Sequence, residues 1–541
     1  MLKKFIIPCI ISALVLIGPT AIQSWAQDRS PSPSPSPTLV SPSPTSSPEA
    51  SPTLVSPSPT SSPEASPTLV SPSPTLSPEA SPTPGAVSPA PESPLPDASR
   101  QEAITPATAE GSKIDTGDSA WMLISSALVL LMTPGLAFFY GGLVRSRNVL
   151  NTMMMSLILM AVVGVTWILW GYSLAFAPNE LTPGANPPYI MNPILGSLKW
   201  AFLNGVAFDQ PDPIGYAPTI PHQLFMVYQM MFAIITPALI SGAIVERVSF
   251  KAFFWFIILW STFIYSPLAH WVWGKGWIGT MGALDFAGGT VVHISSGVSA
   301  VVAAWVLGPR KTYPNQPAAP HNVPYVLLGI GLLWFGWMGF NGGSALGAGP
   351  LATVAFVATT VATAAGGLTW TIVEWVLRGK PTAIGIASGF LGGLVGVTPA
   401  AGFVTPLGAI LIGSITSFCC FWAVSLRAKL EFDDSLDTYP IHGVGGTIGA
   451  ILTGLFATKA VNSAGNDGLL YGNPGLIITQ LVGVIATYIF AAVGTLIILK
   501  LLGLVMPLRV KPLAEDQGVD INEHGEEAYG EEFASGLSLG E

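Results

Sequence analysis

Between Trp121 and Met506 apolar residues neither alternate nor keep to one helical face; they run in long blocks broken by short polar loops. A helix rising 1.5 Å per residue needs about 20 such residues to cross a bilayer core of about 30 Å. The blocks predict eleven spans, at 119–144, 150–176, 221–246, 251–273, 286–308, 323–341, 351–377, 384–399, 405–427, 439–458 and 474–504. The segment 384–399 is short, and the charge pattern of the loops requires it. With the amino terminus outside, the inner loops and tail hold Arg145, Arg147, Arg247, Lys251, Arg310, Lys311, Arg378, Lys380, Arg427, Lys429, Lys500, Arg509 and Lys511. The outer loops hold Lys199, Lys275 and Lys459. This asymmetry obeys the positive-inside rule, and an odd span count puts the carboxyl terminus in the cytoplasm. The expected fold is an all-α integral membrane protein of the cell membrane, crossing it many times.

Spans one to five and six to ten read as two copies of one unit. Five is odd, so the second copy lies inverted, and the expected architecture is a pseudo-twofold inverted five-helix repeat. Span five carries His293 and span ten carries His442, each in a glycine-rich apolar run. Gly389, Gly393 and Gly392, Gly396 form two overlapping GxxxG pairs, a signal for close helix packing.

Of the 541 residues 50% are hydrophobic and 9% charged, where soluble domains carry about a quarter of the latter. Residues 1–26 read as a signal peptide, with Lys3 and Lys4 ahead of an apolar stretch from Phe5 to Ile17 and small residues at Ser24 and Ala26. A first membrane helix is the alternative. Residues 27–116 are a Pro/Ser-rich spacer in which SPSPT recurs at 41, 56 and 71; such a composition buries no core. Residues 117–506 form the membrane domain and 507–541 a cytoplasmic tail. Cys419 and Cys420 are adjacent in an apolar helix and read as packing thiols; no metal site and no cofactor is expected.

An ionisable residue inside a membrane span is a functional candidate by default, although a lone histidine there is more often structural. Two of them in opposed halves favour a shared pore, because neutral imidazole both donates and accepts hydrogen bonds. On this topology Tyr228, Phe232, Trp273, Phe340 and Ser344 reach the outer side from separate segments. Aromatic faces attract cations, Trp most strongly. The alternative is the interfacial aromatic belt of any membrane protein. Asp285 starts the helix of His293 and reads as a cap for its free N–H groups, with direct cation binding as the alternative. Glu374 and Arg378, four apart, read as a helix-surface pair.

DFAGGTVVH at 285–293, VWG at 272–274, GWMGFNGGSA at 336–345 and HGVGG at 442–446 resemble the motifs of the Amt/Mep ammonium transporters. ERVSF at 246–250, RGKP at 378–381, LVGVTPAAG at 394–402 and HGEEAY at 524–529 are similar to them too. The resemblance implies a homotrimer of eleven-helix subunits, each with its own pore. It implies an outer ammonium site at Trp273 and Ser344 with Phe232 and Tyr228 nearby, and a gate of Phe232 and Phe340. It further implies a pore lined by His293 and His442, with Trp337 and Asn341 beside it in structural positions. Tyr228 stands where many relatives have Phe, and Trp273 separates the chain from the Rhesus-type branch.

A bare cation is costly to move through an apolar path that offers no acid beyond its rim. Capture of ammonium outside, deprotonation and passage of neutral ammonia removes most of that cost, with or without separate transfer of the proton. The rivals are an ammonium sensor of the same fold and a passive gas channel. The stretch after Met506 is short for a folded output domain. No nucleophile with a paired base points to an enzyme. The resemblance also implies a PII-type regulatory protein as a candidate partner at the cytoplasmic face, and nothing points to nucleic acid.

Overall fold

The computed structural model describes residues 114–529 except 183–185, 188, 316–318 and 431. The signal-peptide and spacer segments, apart from their last few residues, and positions 530–541 of the tail lie outside the described residues. The chain folds into helices α1 (Thr116–Leu143), α2 (Ser146–Phe176), α3 (His222–Ile244), α4 (Phe250–Thr280), α5 (Gly289–Leu307), α6 (Val323–Ala345) and α7 (Pro350–Arg378). There follow α8 (Ala383–Val397) and α9 (Pro406–Lys429). Helix α10 runs as Tyr439–Val444 and continues as Gly445–Phe456. Helix α11 is Gly475–Val505, and two short tail helices are α12 (Pro512–Gln517) and α13 (Val519–His524). A two-residue β-hairpin, Glu180–Leu181 with Tyr189–Ile190, decorates the α2–α3 loop.

Among the described residues nine helices are long and apolar enough to cross a membrane. Helices α8 and α10 lie at the two other predicted spans but are not among these nine; α8 is apolar but only 15 residues long. Local chemistry sets the ends. Asp115, Asn322, Thr382 and Thr405 accept a backbone N–H from the first turns of α1, α6, α8 and α9. Gly308 and Gly379 close α5 and α7 with positive φ, which glycine adopts without strain.

The two glycine pairs of α8 serve two partners. A Cβ on Gly393 would stand 2.5 Å from the Ala362 carbonyl of α7, and one on Gly396 would stand 2.4 Å from Thr416 Oγ1 of α9. Glu374 is more than a surface pair. It is buried, meets Arg378 at 2.8 Å, and also accepts from Thr382 N at 2.9 Å, joining α7 to α8.

The face that carries the tail, here the tail face, is held by a buried charge network. Glu246 accepts from Arg145 Nε at 2.8 Å, Asn148 Nδ2 at 2.7 Å and Arg310 Nη1 at 2.7 Å. Asp433 takes the other side of Arg310 in bidentate fashion, at 2.7 Å and 3.0 Å. Burial pushes the Glu246 carboxyl up, but the hydrogen bonds and charges of Arg145 and Arg310 outweigh it and hold it at about 2. The tail closes on this network. Asp520 accepts from Leu150 N and Asn151 N at 3.0 Å and 2.8 Å, and Glu523 accepts from Phe250 N at 2.8 Å. Two tail carboxylates therefore cap the amino-terminal ends of α2 and α4, where the helix dipole favours negative charge.

A two-histidine conduit behind an aromatic cup

The histidine helices are built alike and run in opposite directions. Each opens with a π-helical turn, Gly289–Ile294 in α5 and Tyr439–Val444 in α10. Each is capped by a buried aspartate eight residues before its histidine. Asp285 Oδ1 accepts from Gly288 N and Gly289 N at 2.8 Å and 2.6 Å, and Oδ2 accepts from Thr290 N and Thr290 Oγ1 at 2.8 Å and 2.6 Å. Asp434 accepts from Thr438 N at 3.0 Å and Tyr439 N at 2.7 Å. The counterpart of Asp285 is thus Asp434 and not the nearer Asp437, which pairs with Arg427 at 2.5 Å. Burial and the Asp437 charge push Asp434 up to about 6.

Glycines bring the helices together. A Cβ on Gly297, four residues after His293, would stand 2.2 Å from Gly443 N. One on Gly446, four residues after His442, would stand 2.9 Å from the Gly289 carbonyl and 3.0 Å from His293 Cβ. Each histidine is thus followed, one turn on, by the glycine that admits the other helix. The result is a buried pair with Nδ1 to Nδ1 at 3.3 Å and ring centroids 5.3 Å apart. One ring must donate and the other accept, so the two are opposite tautomers. His293 Nε2 is buried without a hydrogen-bond partner among the described residues, and His442 reaches the tail-side cavity.

Above the pair the rings continue. Trp337 stacks on His293 at 5.5 Å and donates Nε1–H to Thr398 Oγ1 at 3.0 Å. Phe340 lies 6.2 Å from His293, and Phe232 lies 4.3 Å from Phe340. Asn341 donates to Thr359 Oγ1 at 2.9 Å from the same helix.

Phe232 is also the floor of a cup of about 290 Å³, roomy enough for several waters at about 30 Å³ each. Trp273 and Ser344 line it with Phe176, Tyr216, Phe225 and Gln229. Trp273 stands edge-on to Phe232 at 5.9 Å and is fixed by Nε1–H to the Asp285 carbonyl at 2.9 Å. Ser344 Oγ donates to the Phe340 carbonyl at 2.8 Å, which leaves a lone pair for an N–H donor. Tyr228 stands behind the cup. Its hydroxyl contacts the Gly339 and Phe340 carbonyls at 3.0 Å and 2.9 Å and meets Ser344 Oγ at 3.2 Å. The Tyr228 O–H is therefore spent on backbone carbonyls beside Ser344 and is not offered to the cup, because buried hydroxyls are hydrogen-bonded.

On the tail side a second cavity, about 360 Å³, begins at His442 and is lined by Glu374, Arg378, Arg427 and Asp437 among others. Acids thus line the tail-side end of the route, where the sequence leads to the expectation of none beyond the outer rim. Ring contacts link the two cavities, from Phe232 on the cup through Phe340 and His293 to His442 on the tail-side cavity. Sequence reasoning missed Gln229, Tyr216 and Phe225, which sit one or more helical turns from Phe232 or in a loop; Phe225 and Gln229 share its face at helical spacing.

The chain is similar to known proteins over most of its length. An ammonium transporter of Bacillus subtilis (strain 168) is 52% identical over 414 residues, 76% of this chain and 98% of that one. The crystal structure of Saccharomyces cerevisiae Mep2 superposes with a TM-score of 0.65 at 38% identity, covering 71% of this chain and 85% of that one. A structure described as a sensor Amt protein gives a TM-score of 0.67 at 28% identity, covering 75% and 98%. Residues 120–529 match the Ammonium Transporter Family, and the chain belongs to that family.

Proposed function

We propose that the protein imports ammonium by capturing NH4+ in the cup, releasing its proton there either back to the outer solution or separately along the histidines, and conducting NH3 past the twin histidines. The observation that carries this reading is the order of groups along one line. An aromatic cup with a serine oxygen leads to two tilted phenylalanine rings in contact and then to two buried imidazoles.

Ammonium is a cation with four N–H donors. Trp273, Phe232 and Tyr216 offer π faces, and Ser344 and Gln229 offer oxygen. Beyond Phe232 no carboxylate offsets a charge until the tail-side cavity, so the neutral form crosses more cheaply. Phe232 and Phe340 close the floor and must swing for passage. In the histidine pair His293 Nε2 and His442 Nε2 are the free ends. A hydrogen-bonded pair of opposite tautomers presents a donor at one end and an acceptor at the other. It can hold an ammonia nitrogen by either end or relay a proton by exchanging tautomers. Asp285 has both oxygens engaged in the helix cap, which supports a structural role over direct cation binding.

We place eleven spans in the cell membrane, with the cup outside and the tail face in the cytoplasm, following the loop charges. A homotrimer with one pore per subunit and a PII-type regulator on the tail face follow from the family resemblance. The test is growth. Cells lacking their own ammonium carriers should grow on low ammonium at slightly acid pH when they express this protein. Correct insertion without rescue would sink transport and leave the sensor reading.

A further inference from the structure

Lys275 is the charged residue among those lining the cup, and it is a cation. Its Nζ stands 5.7 Å from the centre of the Tyr216 ring. That ring is itself fixed: it stacks on Phe225 at 5.3 Å and 6°, and its hydroxyl donates to the Phe176 carbonyl at 3.1 Å. No ion pair joins Lys275 among the described residues. The nearby acids are committed elsewhere. Asp212 accepts from Ile214 N, Tyr216 N and Ala217 N, and Asp285 caps α5.

The backbone makes this placement deliberate. Lys275 has φ 63°, a left-handed conformation that suits glycine and strains a lysine. Its neighbours are glycines that admit no side chain. A Cβ on Gly274 would stand 2.1 Å from the Ala175 carbonyl, and one on Gly276 would stand 2.5 Å from the His270 carbonyl. Lys275 is thus pinned two residues from Trp273, at a position where glycine would be relaxed.

We propose that Lys275 sets the affinity of the cup for its cation. Its tethered ammonium group occupies the aromatic face at the mouth and repels the incoming ion. The proposal rests on the reading that the cup captures ammonium. A fixed positive charge at vestibule range weakens cation binding, and salt screens it, since the Debye length falls from about 30 Å at 0.01 M to about 8 Å at 0.15 M. A specificity role of this kind moves KM and leaves the maximal rate alone.

The experiment is methylammonium uptake into proteoliposomes at 10 and 150 mM sodium chloride for the wild type, Lys275→Gln, Lys275→Arg and Lys275→Gly. At low salt Lys275→Gln should lower KM about two- to tenfold, the range of one unit charge across a wet vestibule. The wild-type KM should fall as salt rises, and the Gln variant should lose that slope. Lys275→Arg should keep both wild-type properties. Lys275→Gly should match Gln in KM with thermal stability at least that of the wild type, because the strain is relieved. An unchanged or raised KM in Lys275→Gln, with an unchanged salt slope, overturns the proposal. Trp273→Leu separates the failures. If it raises KM while Lys275→Gln changes nothing, only the lysine proposal fails. If neither moves KM, the cup is not the capture site and both fall.

Discussion

At the scale of residues, a single Nδ1 to Nδ1 contact of 3.3 Å couples the tautomers of His293 and His442, so the proposed conduit should use the pair as one unit. Removing either imidazole breaks the same hydrogen bond. Uptake rates of His293→Ala, His442→Ala and the double variant should therefore be far from additive, with the second change adding little to the first. Independent, multiplying losses would show that the rings do not share a proton. Both histidines, Phe340, Trp273 and Ser344 stand in motifs of the sequence, and Phe232 is read from its place near the outer end of its span. Lys275 was visible only as a loop charge. Its left-handed backbone and its seat on Tyr216 depend on contacts distant in sequence.

At the scale of elements, the crossing of α5 and α10 depends on small residues. Gly297→Ala would place a methyl 2.2 Å from Gly443 N, where backbone cannot yield as a flexible side chain can. Overpacking of this kind costs about 1–3 kcal/mol or more. The variant should lose uptake and melt lower in detergent, and an active variant with an unchanged Tm would refute the tight crossing. Hydrophobic runs located the elements well. They could not show the π turns at the histidines, which arise where the helices meet. Nor could they separate Asp434 from Asp437 as the cap, since both lie within reach of α10 in sequence.

The tail-face network has a pH signature. Glu246 is held at about 2 against an ordinary 4.5, so its native form favours the ionised state. The stability it contributes is complete above about pH 4.5 and disappears as pH falls toward 2. The wild-type Tm should drop between pH 5 and pH 3. Glu246→Gln leaves Arg145 and Arg310 short of a partner and should already be destabilised at pH 7, by about 3–5 kcal/mol, with a shallower acid slope. Equal slopes in the two proteins would assign the acid response to other carboxylates.

At the scale of the whole molecule, the tail is part of the folded unit. Asp520 and Glu523 cap α2 and α4, and Lys311 pairs with Asp516 across the same face. The double change Asp520→Asn, Glu523→Gln should expose residues 507–529 to protease and alter uptake while leaving membrane insertion intact, at about 1 kcal/mol per lost cap. Unchanged protection and unchanged uptake would make the contacts incidental. The inverted repeat is visible at this scale as two aspartate-capped, π-opened histidine helices pointing opposite ways. Sequence alone suggested it through span count and the two histidines. The matching caps and glycines are spread over short, dissimilar stretches.

The most direct test of the conduit is uptake of radiolabelled methylammonium by proteoliposomes holding the purified protein, with unlabelled ammonium as competitor. Saturable uptake that ammonium suppresses, weakened by Trp273→Leu and largely lost in the double histidine variant, is the expected result. Uptake no faster than in protein-free vesicles, or uptake that survives loss of both imidazoles and of Trp273, would contradict it.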